Sequence, residues 1–125
     1  MKKLGINHIK TFVAQPLAED IHLSLSKKLR FFKPNSSYTQ LEYSYLFDPK
    51  KSSSLYEKMN RIGWIADEID HHPEWTITES SLHIKLSTHD IGNKISVKDY
   101  WLGIWAEEVL HGSELEDQFI TLIQK

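Results

Sequence analysis

The stretch WTITESSLHIKL, residues 75–86, predicts a β-hairpin. Apolar and polar residues alternate on both sides of Glu79-Ser80-Ser81, which is the period-two pattern of two half-buried strands joined by a short turn. A second alternating run, residues 41–47, predicts another strand that ends at Asp48-Pro49. A short strand is expected at residues 29–32. The chain therefore predicts four strands in two sequential pairs.

Three helices complete the pattern. The first is predicted over residues 16–29, with a proline at its opening position. The second begins at Ser54-Leu55-Tyr56-Glu57, which reads as a capping box. The third is predicted over residues 97–110, with Ser96 as its cap and Asp99 beside the positive end of the helix dipole.

The predicted element order is α-β-β-α-β-β-α. The economical arrangement is a two-layer α+β fold, a four-stranded antiparallel sheet with helices on one face. We expect residues 1–15 to form an N-terminal extension and residues 16–125 a single domain that closes with a short turn from Ser113. Gly63, inside the second helix, predicts a close packing contact at that position.

Composition excludes several classes of protein. The chain has 125 residues and no cysteine, so disulfide scaffolds, thiolate zinc sites and cysteine nucleophiles are ruled out. A net charge of −2 argues against a protein whose main task is binding nucleic acid. No apolar run approaches the roughly 20 residues that span a membrane. The lysine-rich start resembles an organellar targeting peptide but lacks arginine and serine, so a cytoplasmic protein is expected.

Ionisable side chains concentrate in residues 67–74, at a predicted junction between a helix and a strand. His71 and His72 are adjacent there, and His89 follows at the far end of the hairpin. Imidazoles ringed by carboxylates form a general acid/base set at neutral pH. Such clusters are also found as structural polar groups. We interpret the other four histidines as structural: His8, His22, His83 and His111.

A metal site is the rival interpretation of this cluster, since three histidines and a carboxylate suit zinc or iron. Metal-ligating histidines usually recur at i,i+2 or i,i+4 spacing on one face. His71 and His72 are neighbours, whose side chains diverge in most backbone conformations. The spacing therefore favours acid/base chemistry without a metal.

Two blocks of residues resemble a known family. The text Asp70-His71-His72-Pro73-Glu74-Trp75, preceded by Asp67, and the text Leu82-His83-Ile84-Lys85-Leu86-Ser87-Thr88-His89 are similar to the signature of the pterin-4a-carbinolamine dehydratases. The resemblance covers residues 38–110. The chain departs from the pattern at Glu79, where the family usually has an aromatic residue, and in an interval from His89 to Asp99 that is one residue longer.

The resemblance implies dehydration of 4a-hydroxy-tetrahydropterin to quinonoid dihydropterin, a hydro-lyase reaction that recycles the pterin used by aromatic amino acid hydroxylases. It implies neither a metal nor an organic cofactor. His71 and His89 would form the acid/base pair, and His72 would hold the substrate. The remaining site residues would line or orient the pocket: Asp67, Asp70, Trp75, Thr88 and Asp99.

The predicted helix 97–110 carries more apolar residues than one buried stripe requires. Val97, Trp101 and Ile104 fall on one side, and Leu102, Trp105 and Val109 fall on another. A second apolar stripe predicts a homo-oligomer, a dimer or tetramer, built through this helix. The alternative function is therefore a non-catalytic homo-oligomeric module, since members of the family can serve as dimerisation partners of transcription factors.

Overall fold

A computed structural model describes Ile9 and residues 15–111. The elements run in the predicted order: α1 Glu19–Ser26, β1 Lys33–Pro34, β2 Leu41–Leu46, α2 Ser52–Glu68, β3 Glu74–Ile77, β4 Ser81–Leu86 and α3 Val97–Leu110. The four strands form one antiparallel sheet in the spatial order β1-β2-β4-β3. The predicted α+β class is confirmed. Among the described residues, no helix has the length and apolar character to cross a membrane.

The sheet has one buried and one polar face because its side chains alternate. In β4, Leu82, Ile84 and Leu86 are buried, while the residues between them are half-exposed. Helices α2 and α3 supply the rest of the core, with Ile62 and Leu102 among their fully buried side chains. Both predicted strands of the 75–86 hairpin and the strand at 41–47 are therefore confirmed to within a residue or two.

The start of the chain differs from the prediction. Helix α1 spans Glu19–Ser26 rather than 16–29, and the first strand is Lys33–Pro34 rather than 29–32. The predicted strand is displaced because the buried carboxylate of Glu107 accepts the backbone N–H groups of residues 30–32. Amides held by a side chain cannot take part in a helix or in a sheet ladder.

Two local predictions on α2 are wrong. The helix begins at Ser52, directly after the 3₁₀ turn Pro49–Lys51, so Ser54 is not its cap. Asp48 caps the 3₁₀ turn instead, accepting from the Lys50 N–H at 3.0 Å. Among the described residues, nothing lies within 4 Å of a Cβ built on Gly63, so the close contact expected there is not found.

The third helix begins and ends as predicted, with a capping box between Ser96 and Asp99. The turn predicted from Ser113 and most of residues 1–15 lie outside the described residues. Ile9 is buried within the core cluster.

Candidate active site

At the carboxyl end of α2, one of two adjacent histidines is buried and the other is exposed. Ile69 ends the helix and Asp70 adopts a left-handed conformation with φ 51°. The His71 N–H donates to the Ala66 carbonyl at 3.0 Å, and the Asp70 N–H donates to the Asp67 carbonyl at 3.2 Å. These two bonds are those of a Schellman motif. The reversal buries His71 and leaves His72 exposed.

His71 belongs to a buried polar network. Its side chain is 9% exposed, and its Nε2 donates to Asp99 Oδ1 at 2.5 Å. The other oxygen of Asp99 accepts from Thr88 Oγ1 at 2.7 Å and from the Ser96 N–H at 2.8 Å. Asp99 is fully buried. The network therefore ties the end of α2, the end of β4 and the start of α3 to one carboxylate.

His72 lies on the surface above this network. Its Nε2 is 2.7 Å from Asp67 Oδ1, and the two side chains are 56% and 75% exposed. A carboxylate only accepts, so the Nε2 of His72 carries a hydrogen and its Nδ1 is left for another partner. The pair of residues thus presents one defined ring nitrogen to solvent.

His89 lies three residues beyond the end of β4. The sequence predicts His89 at the far end of the hairpin; β4 ends at Leu86, and His89–Ile91 form a 3₁₀ turn just after it. The His89 ring is exposed, and its Nδ1 is 2.5 Å from Asn93 Oδ1.

A cleft of about 240 Å³ joins these two histidines. Its lining is polar and carries both charge signs: Thr39, Gln40, His72, Glu74, Lys85, Ser87, His89 and Asn93. A more open groove of about 550 Å³ lies beside α2 and also reaches His72, with Asp67, Pro73 and Trp75 among its lining residues. His72 therefore stands between a polar cleft and a groove with aromatic walls.

The predicted site residues fall into three groups. His72 and His89 line the cleft, and Asp67 and Trp75 line the adjoining groove. His71, Thr88 and Asp99 form the buried network underneath. Asp70 is exposed at the helix end, where it makes the left-handed turn.

Sequence reasoning did not assign Glu74, Lys85 or Asn93 to the site. The signal for Lys85 was its outward position in the period-two pattern of β4. Its register partners across the sheet are Glu42 and Glu74. Asn93 gave no periodic signal, because it lies in a loop at φ 58°.

The other described histidines have structural partners. Buried His22 contacts the Tyr100 hydroxyl through Nδ1 at 2.8 Å, His83 contacts Ser44 at 2.6 Å, and His111 contacts Tyr43 at 3.0 Å. Burial lowers the pKa of His22 below its ordinary value of 6.5. Burial, with Tyr38 and Asp99 nearby, raises the pKa of Tyr100 to about 12. His8 lies outside the described residues.

Within residues 15–111, no three histidine and carboxylate side chains are grouped so that they could hold a metal ion. The arrangement offers two exposed imidazoles with different free ring nitrogens, carboxylates beside them, and one lysine. Such a set can donate and accept protons on opposite sides of a small polar ligand.

The fold and the site define a small α+β protein with a histidine-lined cleft at the rim of its sheet. The family model described as pterin 4 alpha carbinolamine dehydratase matches residues 22–108. This match covers well over half of the chain, and the chain belongs to that family.

Relatives and a solved structure agree with this membership. Two proteins named "Putative pterin-4-alpha-carbinolamine dehydratase" match at 32% identity over 69 residues (Opitutus terrae; 55% of this chain and 69% of that protein) and 39% over 67 residues (Rhodospirillum rubrum; 54% and 67%). A third of the same name, from Prochlorococcus marinus, is 48% identical over 44 residues, 35% of this chain and 45% of that protein.

A crystal structure titled transcriptional coactivator/pterin dehydratase, from Brucella melitensis, superimposes with a TM-score of 0.68. It is 21% identical and covers 77% of this chain and 99% of that chain. At this identity the likeness concerns the fold.

Proposed function

We propose that this protein dehydrates 4a-hydroxy-tetrahydropterin to the quinonoid dihydropterin, acting as a 4a-hydroxytetrahydrobiopterin dehydratase. The observation that carries the proposal is the cleft lined by both His72 and His89. Family membership supports a pterin as the substrate class.

The reaction needs two proton transfers. The 4a-hydroxyl leaves as water once a donor protonates its oxygen, and a ring N–H of the pterin loses a proton as the new double bond forms. Two imidazoles on one cleft can supply the donor and the acceptor near pH 7. His72 offers Nδ1 and His89 offers Nε2, because the other nitrogen of each ring contacts Asp67 or Asn93.

The proposed roles of His71 and His72 differ from the sequence-based expectation. His71 was expected to exchange protons with His89, but its ring is 9% exposed and its Nε2 is held by Asp99. His72 is the exposed neighbour that lines the cleft. We therefore assign proton exchange to His72 and His89, and assign His71, Thr88 and Asp99 to support beneath them. Asp67 and Trp75, which line the adjoining groove, keep their proposed role at the substrate, and Asp70 is assigned to the turn that separates the two histidines.

Direct turnover of a 4a-hydroxy-tetrahydropterin tests the proposal, with the uncatalysed rate subtracted. His72→Ala and His89→Ala should each lower kcat/KM by about 10²- to 10⁴-fold, with unchanged circular dichroism. His83→Ala is the matched control and should retain activity, since His83 contacts Ser44 and does not line the cleft. Near-wild-type turnover by both cleft variants would refute the acid/base assignment.

The second candidate function is a non-catalytic, homo-oligomeric module that pairs with a transcription factor. Its specific support is apolar surface on α2, where Tyr56 and Trp64 are 55% and 53% exposed. The Brucella melitensis neighbour also carries a coactivator title. A wild-type protein that shows neither a pterin-binding signal above background nor turnover would favour this function.

A further inference from the structure

We propose that Asn93 is a positioning residue that holds the ring of His89 in one orientation and one tautomer. The inference rests on the proposed function, in which His89 exchanges protons with the substrate. Asn93 Oδ1 is 2.5 Å from His89 Nδ1, and both residues line the same cleft. An amide oxygen accepts and does not donate, so the hydrogen of the neutral imidazole lies on Nδ1.

The consequence concerns the opposite ring nitrogen. When Nδ1 carries the hydrogen and gives it to Asn93, the lone pair of the neutral ring lies on Nε2. A ring without this partner rotates and exchanges tautomers, so only part of its population would present the reactive nitrogen. Asn93 thereby raises the fraction of His89 that is ready for proton transfer.

The loop backbone explains why Asn93 can reach His89. The 3₁₀ turn closes when the Gly92 N–H donates to the His89 carbonyl at 3.0 Å. Gly92 and Asn93 then both take left-handed conformations, with φ 75° and 58°. Thr88 and Lys94 are bridged in both directions, which closes the base of the loop. Four residues after His89, the side chain of Asn93 is turned back onto the ring.

An asparagine at position 93 suits both the left-handed backbone of the loop and the hydrogen bond to His89. Asparagine is one of the few residues that enters the left-handed region readily, and its short side chain carries a neutral acceptor. Asn93→Gly removes the acceptor and keeps the backbone conformation, since glycine adopts positive φ without strain. Asn93→Asp keeps an acceptor in the same place and adds a charge.

The first test measures the tautomer of the His89 ring by NMR, independently of activity. Ring ¹⁵N shifts of His89, measured by two-bond ¹H–¹⁵N correlation above the titration of the ring, should show Nδ1 protonated in the wild type. Asn93→Gly should move both shifts toward the average of exchanging tautomers, and Asn93→Asp should retain the wild-type pattern. A wild-type ring protonated at Nε2, or a Gly variant with unchanged shifts, would overturn the proposal.

The second test reads catalysis. Asn93→Gly should lower kcat by about 3- to 10-fold, the amount expected for one hydrogen bond, with KM within about twofold. Asn93→Asp should recover most of kcat and move the pH–rate profile to higher pH, because a carboxylate stabilises the protonated ring. Asp90→Asn, in the same turn, is the matched loop control and should match the wild type in kcat and KM.

The outcomes separate this inference from the proposed function. A loss confined to KM would make Asn93 a substrate contact and would refute the positioning role. If His89→Ala lowers turnover but Asn93→Gly changes neither tautomer nor kcat, the proposed function stands and the inference fails. If His89→Ala retains full activity, the proposed function fails, and the nitrogen shifts alone still decide whether Asn93 orients the ring.

Discussion

At the scale of single residues, one left-handed turn separates the tasks of two adjacent histidines. Asp70 at positive φ lets the chain reverse after α2, so His71 enters the core and His72 stays at the surface. The sequence places Pro73, which cannot continue a helix, directly after the two histidines. It could not show which of the two histidines would be buried, because that depends on one φ angle at Asp70.

The left-handed turn at Asp70 predicts the order of stability of the wild type and two variants at this position. An L-residue in the left-handed region costs about 1–2 kcal/mol, while glycine loses about 0.5–1 kcal/mol through chain entropy. Asp70→Gly should therefore unfold in urea at the same midpoint as the wild type or above it, and Asp70→Ala should be the least stable of the three. An alanine variant more stable than the glycine variant would contradict the assignment of a strained turn.

The buried His22 predicts a pH-dependent stability. Because burial lowers its pKa, the unfolded chain binds more protons than the folded chain between that lowered value and 6.5. The free energy of unfolding contributed by this group is therefore present above pH 6.5 and is lost as pH falls through the lowered pKa.

The wild type should lose more stability than His22→Gln between pH 7.5 and pH 5, measured by urea unfolding at each pH. Glutamine can still bond the Tyr100 hydroxyl, which contacts His22 at 2.8 Å, so the comparison isolates the titration. Parallel curves for the two proteins would show that His22 does not contribute.

At the scale of elements, local patterns predicted what local interactions determine. The strands at 41–47 and 75–86 follow from residue alternation, and the helix at 97–110 follows from Ser96 as its cap with Asp99 in its first turn; all three are found. The strand predicted at 29–32 is wrong because the amides of residues 30–32 bond to Glu107, which lies 75 to 77 positions further along the chain. Contacts of that range leave no periodic trace in the sequence.

Removing the Glu107 carboxylate should destabilise the protein, because the amides of residues 30–32 lose their acceptor. Glu107 accepts three backbone N–H groups at 2.7–2.9 Å while it is buried. Glu107→Gln brings an NH₂ group against at least one of those donors and should lower the free energy of unfolding by about 1–3 kcal/mol. Glu57→Gln, an exposed change on α2, should stay within about 0.5 kcal/mol. Equal stability of the two variants would contradict this role.

At the scale of the whole molecule, the open question is how the apolar surface is covered. Of the stripe predicted from Leu102, Trp105 and Val109, only Leu102 and Val109 are buried, while Trp105 packs on the core in part, as Trp101 and Ile104 do. The most exposed large apolar side chains of the described residues lie elsewhere: Leu46 at the end of β2 is 75% exposed, and Tyr56 and Trp64 on α2 are 55% and 53% exposed. The sequence could not rank these surfaces, because exposure depends on how the layers pack.

The homo-oligomer stays a prediction, and sedimentation tests it. At low micromolar concentration the wild type should sediment above the monomer mass of 14.6 kDa. Ile104→Glu should lower that mass if α3 forms the contact, and Trp64→Glu should lower it if α2 does. A wild type that sediments as a monomer across this range would contradict the prediction.

We propose that His72 and His89 act together on one substrate in one cleft, and a double-mutant cycle on the dehydration rate tests whether they do. Groups that serve the same step are strongly non-additive. The double variant His72→Ala/His89→Ala should therefore be about as slow as the slower single variant, which itself should be at least about 10²-fold below the wild type. Single variants with dehydration rates close to that of the wild type, or rate losses that multiply fully in the double variant, would contradict joint action of the two histidines.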